Sequence, residues 1–165
     1  MIIFETERLR VRQFTAEDAY EFFLMNGDEE VVRYIRPVKT RAECDVFLQE
    51  IIEYSEKYPL FGRWAVYEKN SGQFVGSFAA IPIKDTEKMQ LGYALLREMR
   101  GKGYATELTK KGIQYFFENT DHTVVHAQTE SGNSASVNVL LRCGFTESGR
   151  HMEGEKEIVE FSINK

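Results

Sequence analysis

The stretch Leu95-Leu96-Arg97-Glu98-Met99-Arg100-Gly101-Lys102-Gly103-Tyr104-Ala105-Thr106 carries an apolar strand into a loop with two closely spaced glycines, and the loop opens a helix. The first N–H groups of a helix lack intrahelical partners and carry the positive end of its dipole. Such an end binds phosphate readily. Gly101 and Gly103 let the backbone approach a pyrophosphate with no Cβ in the way. Arg97, Arg100 and Lys102 against Glu98 make the segment locally basic. Two glycines alone fit a plain helix-opening turn equally well. The spacing is neither G-x-G-x-x-G nor a lysine-terminated P-loop, which weakens a dinucleotide or nucleoside-triphosphate reading.

Outward from this loop the chain alternates strands and helices. Upstream, Trp64 to Tyr67, Phe74 to Ile83 and Met89 to Leu95 read as three strands, joined by the turn Asn70-Ser71-Gly72 and the polar turn Lys84 to Lys88. Connections this short predict antiparallel pairing. Downstream, a helix from Tyr104 to Glu118 has Ala105, Leu108, Gly112, Ile113 and Phe116 on one stripe, followed by a strand at Val124 to Gln128. This β-α-β unit should be parallel and right-handed. A shorter helix, Ser134 to Arg142, and strands at Ser148 to Met152 and Ile158 to Ile163 complete the C-terminal part. At the other end, Leu9 and Val11 alternate with Arg10 and Arg12 as a first strand. Capping boxes at Thr15-Ala16-Glu17-Asp18 and Thr40-Arg41-Ala42-Glu43 open two more helices. The second should carry Val46, Phe47, Ile51 and Tyr54 at helical spacing, mainly as core. The expected architecture is α/β (α+β), a mixed sheet of about seven strands. With no linker, repeat or low-complexity tract, residues 1–165 read as a single domain.

Composition narrows the function. The 165 residues are 42% hydrophobic and 13% aromatic, as a globular chain requires. A net charge of -5 argues against a generic nucleic-acid partner, which needs a broad basic surface. No apolar run is long enough to span a membrane and no secretory signal opens the chain. Cys44 and Cys143 are too few for a disulfide framework or a metal cluster, and a cytoplasmic setting is expected.

Three segments carry a family resemblance. Arg100-Gly101-Lys102-Gly103-Tyr104-Ala105, after Leu91-Gly92-Tyr93-Ala94-Leu95, resembles the acetyl-CoA motif of the GNAT superfamily of N-acetyltransferases. Asn133-Ser134-Ala135-Ser136, running on to Cys143-Gly144-Phe145, resembles that family's Asn-x-Ala-Ser helix. Thr6-Glu7-Arg8-Leu9-Arg10-Val11-Arg12 with Asp18 resembles the branch containing the ribosomal-protein N-terminal acetyltransferases.

The resemblance implies a twisted, mostly antiparallel sheet with helices on both faces, splayed between its fourth and fifth strands, here the Met89 and Val124 strands. Acetyl-CoA is the implied cosubstrate, with no metal. Its pantetheine arm would pair with the main chain of Tyr93, Ala94 and Leu95, where one N–H would stabilise the oxyanion. Its pyrophosphate would lie on Arg100, Gly101, Lys102, Gly103, Tyr104, Ala105 and Thr106. Asn133 matches a residue that touches the arm, and it also suits helix capping. The implied partners are acetyl-CoA and an amine acceptor, either a peptide N-terminus or a small molecule, with a homodimer allowed.

Acid and base are less evident. Relatives place a tyrosine in the helix after the Asn, where this chain has Leu140. Ser136, at i−4 from Leu140, could face the same region, and a serine has this role in the ribosomal-protein branch. The strand that carries a Glu in many relatives reads Met89-Gln90-Leu91, leaving Glu87 before it and Glu130 after the partner strand as candidates, each equally readable as a solvated carboxylate. His126 fits a structural histidine better. Neither cysteine looks like a nucleophile, so direct amine attack on the thioester is expected, most simply by an N-terminal α-amine. A small-molecule amine, or a noncatalytic acetyl-CoA sensor, is the alternative.

Overall fold

The computed structural model describes residues 1–165. Eight strands form one sheet: β1 (Ile2–Glu5), β2 (Leu9–Gln13), β3 (Gly62–Glu68), β4 (Phe74–Pro82), β5 (Met89–Leu95), β6 (Val124–Glu130), β7 (Thr146–Glu153) and β8 (Lys156–Asn164). Their order is β1-β2-β3-β4-β5-β6-β8-β7, and every adjacent pair is antiparallel except β5 and β6. The strand added to the seven expected is β1. Its residues Ile2–Glu5 alternate too briefly to signal a strand, and pairing with Arg10 to Arg12 of β2 makes it one.

Five α-helices accompany the sheet: α1 (Ala19–Asn26), α2 (Glu29–Val32), α3 (Arg41–Lys57), α4 (Tyr104–Asn119) and α5 (Ser134–Arg142). Both capping boxes form, although the Thr15 box opens a 3-10 turn at Ala16–Asp18 that leads into α1. The single turn α2 lies between α1 and α3 and is capped by Asp28, whose side chain accepts from Glu30 N–H. In α3 the buried face is Cys44, Leu48, Ile51 and Ser55, so the expected stripe is corrected. Val46 is exposed, and Phe47 sits half-buried at the edge of that face.

The two faces of the sheet serve different purposes. Trp64 and Phe78 stand opposite each other on β3 and β4 and pack beneath α4 with Phe4 and Tyr115. Gly112 of α4 lies directly on the Phe78 ring, where a Cβ would come within 2.2 Å of it. The other face, under α1 to α3, carries Arg63, Ser77, Ala79, Gly92 and Ala94, a floor of mostly small side chains. A buried cluster braces this side: Asp18 accepts from both Nη atoms of Arg12 at 2.8 and 2.6 Å, from the Tyr67 hydroxyl at 2.7 Å and from Thr15 N–H. Burial opposes the Asp18 charge, but these donors outweigh it and hold its pKa below the ordinary carboxylate value.

Candidate active site

The sheet opens at its middle. Strands β5 and β6 share a single paired position, Gln90 with His126, and then diverge. Beyond it the β6-facing edge of β5, through Tyr93, Ala94 and Leu95, has no strand partner. Backbone N–H and C=O groups must be satisfied by something, so this edge is a template for an extended ligand. Gly76 shapes it from behind. At φ +151° it admits the Ala94 carbonyl where a Cβ would lie 2.0 Å from that oxygen, so β4 presses close to β5 just where β5 leaves β6.

A cavity of about 1280 Å³ occupies the gap. Tyr93, Ala94, Leu95, Arg100, Gly101, Gly103, Tyr104, Ala105, Thr106, Asn133, Ser136 and Glu130 all reach its wall. Lys102 and Glu87 do not. Lys102 is exposed with its ammonium near the Met99 sulfur, and Glu87 lies exposed in the β4–β5 turn. The volume exceeds the range typical of one drug-sized ligand, leaving space for a long cosubstrate and an acceptor together.

At one end of the cavity α4 begins. Its N-cap is Gly103, at φ +82°, and no side chain caps the helix. The first N–H groups, at Tyr104, Ala105 and Thr106, therefore point into the cavity unpaired by the helix. Gly101 is also left-handed, at φ +74°. The loop's cations are turned elsewhere. Arg97 pairs with Asp28 at 2.9 Å, and Arg100 donates to the Glu30 carbonyl at 3.1 Å. Backbone, rather than side-chain charge, faces the place a phosphate would take.

The loop is held from behind by a residue to which the sequence reading gave no role. Arg8 donates to the Lys102 carbonyl at 2.9 Å, pairs with Glu107 at 2.7 Å, and lies 4.6 Å from the centroid of the Tyr104 ring. Glu107 also accepts from the Thr6 hydroxyl and from Arg8 N–H. Burial works against its charge, but these bonds keep its pKa below the ordinary value. The Thr6-Glu7-Arg8 segment was legible as a motif, but its partner lies 99 positions away.

At the other end stands α5. Asn133 caps it, its Oδ1 accepting from Ser136 N–H at 3.3 Å. Leu140 is buried on the cavity wall. The side chain of Tyr93, quoted in the sequence reading for its main chain alone, reaches this helix. Burial raises its phenol above the ordinary tyrosine value, and the proximity of the Ser136 hydroxyl offsets part of the rise. A neutral phenol and a serine thus stand together beside Leu140. Glu130 is engaged by Lys156, whose ammonium lies 2.6 Å from Oε1. His126 is off the cavity wall, and burial lowers its pKa. Burial raises both thiols, Cys44 and Cys143, so neither is an activated nucleophile. No group of three His, Cys, Asp or Glu side chains could hold a metal ion, and no helix is long and apolar enough to cross a membrane.

Known proteins share this arrangement. The family model described as an acetyltransferase (GNAT) domain matches residues 8–146. An uncharacterized N-acetyltransferase, YoaA of Bacillus subtilis, is 28% identical over 152 residues, covering 89% of this chain and 84% of its own. A GNAT-family acetyltransferase from Bacillus anthracis superposes with a TM-score of 0.86 at 19% identity, covering 99% of this chain and 98% of its own. RimL, a ribosomal alpha-N-protein acetyltransferase solved in complex with coenzyme A, superposes at 0.84 with 15% identity, covering 99% and 98%. The splayed strands, the uncapped glycine-led helix and the match over most of the chain agree: this protein belongs to the GNAT acetyltransferase family and is an acetyl-CoA-dependent N-acetyltransferase.

Proposed function

We propose that residues 1–165 act as one acetyltransferase domain whose acceptor is the α-amine of a peptide or protein N-terminus. The observation that carries this is the state of the cavity's carboxylates. Glu130 is tied to Lys156, Glu87 stands outside the wall, and the other carboxylates on the wall, Glu29, Glu30 and Glu153, are exposed to solvent, so no buried carboxylate is poised to deprotonate a strongly basic amine. An α-amine, with a reference pKa near 7.7–8.0, is about a tenth neutral at pH 7, whereas a lysine-type amine near 10.4 is neutral in fewer than about one molecule in a thousand. Water suffices as base for the first and not for the second.

In this reading the pantetheine arm pairs with the free edge of β5 at Tyr93 to Leu95, and Asn133 touches it from the α5 cap. The pyrophosphate rests on the backbone of Arg100 to Thr106. The amine nitrogen attacks the thioester carbon, an N–H of the β5 edge holds the oxyanion, and the carbon–sulfur bond breaks. The amine proton leaves to water, and the departing thiolate takes a proton from the Tyr93–Ser136 pair. That pair stands in for the tyrosine that Leu140 replaces.

The experiment is acetyl-CoA turnover at pH 7, read as free thiol, with two matched peptides. One has a free N-terminus and no lysine; the other has a blocked N-terminus and one lysine. Preferred turnover of the first is expected. Preference for the lysine peptide would refute the α-amine reading, and no turnover of either would point to a small-molecule acceptor.

A further inference from the structure

Two arginines at the acceptor side of the cavity have no carboxylate to neutralise them. Arg63 lies on β3, next to Trp64 in a strand otherwise apolar through Val66. It stands opposite Ala79 of β4, which in turn stands opposite Gly92 of β5, and all three line the cavity. Nothing larger than a methyl group therefore separates Arg63 from the open edge of β5. Arg36, just after α2, also lines the cavity. The two guanidiniums approach one aromatic ring, at 5.5 Å (Arg36) and 6.0 Å (Arg63) from the centroid of Phe47, and the Lys39 ammonium approaches the same ring at 5.2 Å.

Their polar environment is thin. Arg36 donates one hydrogen bond, at 2.6 Å, to the side-chain oxygen of the fully buried Asn26, a neutral acceptor that orients the guanidinium without compensating its charge. Arg63 makes no side-chain hydrogen bond and no ion pair. Burial pushes the pKa of both below the ordinary arginine value, and for Arg36 the proximity of Arg63 adds to the effect. A guanidinium stays charged even so. Both side chains keep partial access to solvent, and that access is to the cavity. None of the carboxylates on the cavity wall pairs with either arginine: Glu130 is held by Lys156, Glu153 lies exposed beside His151, and Glu29 and Glu30 are exposed on α2.

Charges held in a low-dielectric wall are normally paired, because removing them from water is costly. Like charges gathered on one ring, the two guanidiniums without an anionic partner, add mutual repulsion to that cost. A carboxylate would relieve both, since the guanidinium fork matches its geometry in bidentate fashion. We infer that Arg36 and Arg63 form a carboxylate-recognition subsite, so that the acceptor is an amine that also carries a carboxylate. This rests on the acetyltransferase reading above and narrows its acceptor class. The floor from β3 to β5 is two strand spacings wide, about 10 Å, which suits a short extended acceptor lying across Ala79 and Gly92 with its amine at the splay. The carboxylate can come from a free amino acid or from an acidic residue just after a peptide N-terminus. Polyamines and aminoglycosides, which bring only positive charge, are disfavoured.

The test uses the full chain, acetyl-CoA and acceptors matched in pairs: mixed amino acids against their carboxamides, and the tripeptide amide Ser-Asp-Glu against Ser-Asn-Gln, with spermidine as a cationic control. The carboxylate member of at least one pair should be turned over with a kcat/KM at least about tenfold higher than its neutral partner. The first pair reports a free amino acid, the second an acidic peptide. Arg63→Gln should remove that preference while leaving the neutral partner within about twofold. Equal or better turnover of the neutral members or of spermidine overturns the subsite but leaves the acetyltransferase reading intact. Turnover of no acceptor counts against the α-amine reading, and the subsite is then judged by binding alone. With coenzyme A bound, succinate should shift the Nε–Hε resonances of Arg36 and Arg63, and Arg63→Gln should abolish the Arg36 shift. No shift in the parent chain would overturn the inference.

Discussion

Arg8 should control acetyl-CoA affinity without touching the cosubstrate. Replacing it with Met keeps an unbranched stem and deletes the guanidinium. The two polar interactions lost are the hydrogen bond to the Lys102 carbonyl and the pair with Glu107, together with the contact of the guanidinium on the Tyr104 ring. A hydrogen bond to a charged group is worth about 1.5–3 kcal/mol when buried. The Arg8 side chain is 41% exposed, so solvent screening reduces this to about 1 kcal/mol. The ion pair, with Glu107 at 19% exposure, adds about 1 kcal/mol more. If this energy holds the Gly101 to Gly103 turn in its phosphate-ready form, losing about 2 kcal/mol weakens binding by up to about 30-fold. Coenzyme A titrated calorimetrically into Arg8→Met should show a 10- to 30-fold higher Kd, while kcat at saturation stays within about twofold. Glu107→Gln, which keeps the donors' partner but not its charge, should show a smaller rise. A Kd changed less than about twofold, in a variant whose Tm has fallen, would refute the reasoning: Arg8 would then support the fold alone.

Tyr93→Phe and Ser136→Ala should each lower kcat at least about tenfold with coenzyme A affinity nearly intact, and the double variant should fall little further, because the two act as one proton donor; single variants within twofold of the parent would assign the proton to water. Gly103→Val should weaken coenzyme A binding more than Arg100→Ala. A β-branched residue is strained at φ +82° and places a Cβ 3.3 Å from Arg8 Nη2, whereas the Arg100 guanidinium is turned to the Glu30 carbonyl. Calorimetry showing the reverse order would make charge the main determinant. Asp18→Asn, which removes the buried charge that the half-buried Arg12 answers, should destabilise the fold by about 3 kcal/mol in urea unfolding. Because the folded-state pKa values of Asp18 and Glu107 are depressed, their stabilisation is complete above the unfolded carboxylate pKa of about 4 and is lost as pH falls through the folded values. The urea midpoint should hold from pH 7 to about 5 and then decline, less steeply in Asp18→Asn.

What could be read from the sequence was whatever depends on neighbours along the chain. The bounds of β5 and α5 follow from apolar alternation, the glycine loop and the Asn133 cap, all contained in a few consecutive residues. The need for glycine at Gly101 and Gly103 was likewise legible as a place with no Cβ, and the structure adds that both adopt positive φ. The strand β1 was not, because four residues have no amphipathic period of their own and become a strand only against β2. The buried face of α3 was legible only in part: Ile51 of the expected stripe is buried, but Cys44 and Leu48 fill the rest of that face and Val46 is exposed.

The chemistry divides along the same line. The motif at Arg100 to Thr106 and the Asn133 segment marked an acetyl-CoA enzyme because the N–H groups proposed to meet phosphate belong to consecutive residues. Side chains brought together from distant positions were hidden: Arg8 with Glu107, Tyr93 with Ser136, Arg36 with Arg63. Arg63 stands just before the strand expected at Trp64 to Tyr67, and only the tertiary structure extends β3 back to Gly62 and places the charge among apolar neighbours with no carboxylate to answer it. Local backbone conformation is set by steric and hydrogen-bond terms a few residues in range, so it is written in order along the chain. Charge compensation and proton transfer depend on through-space distances of a few ångströms, and only the register of β3, β4 and β5 and the divergence of β5 from β6 determined which residues those distances join.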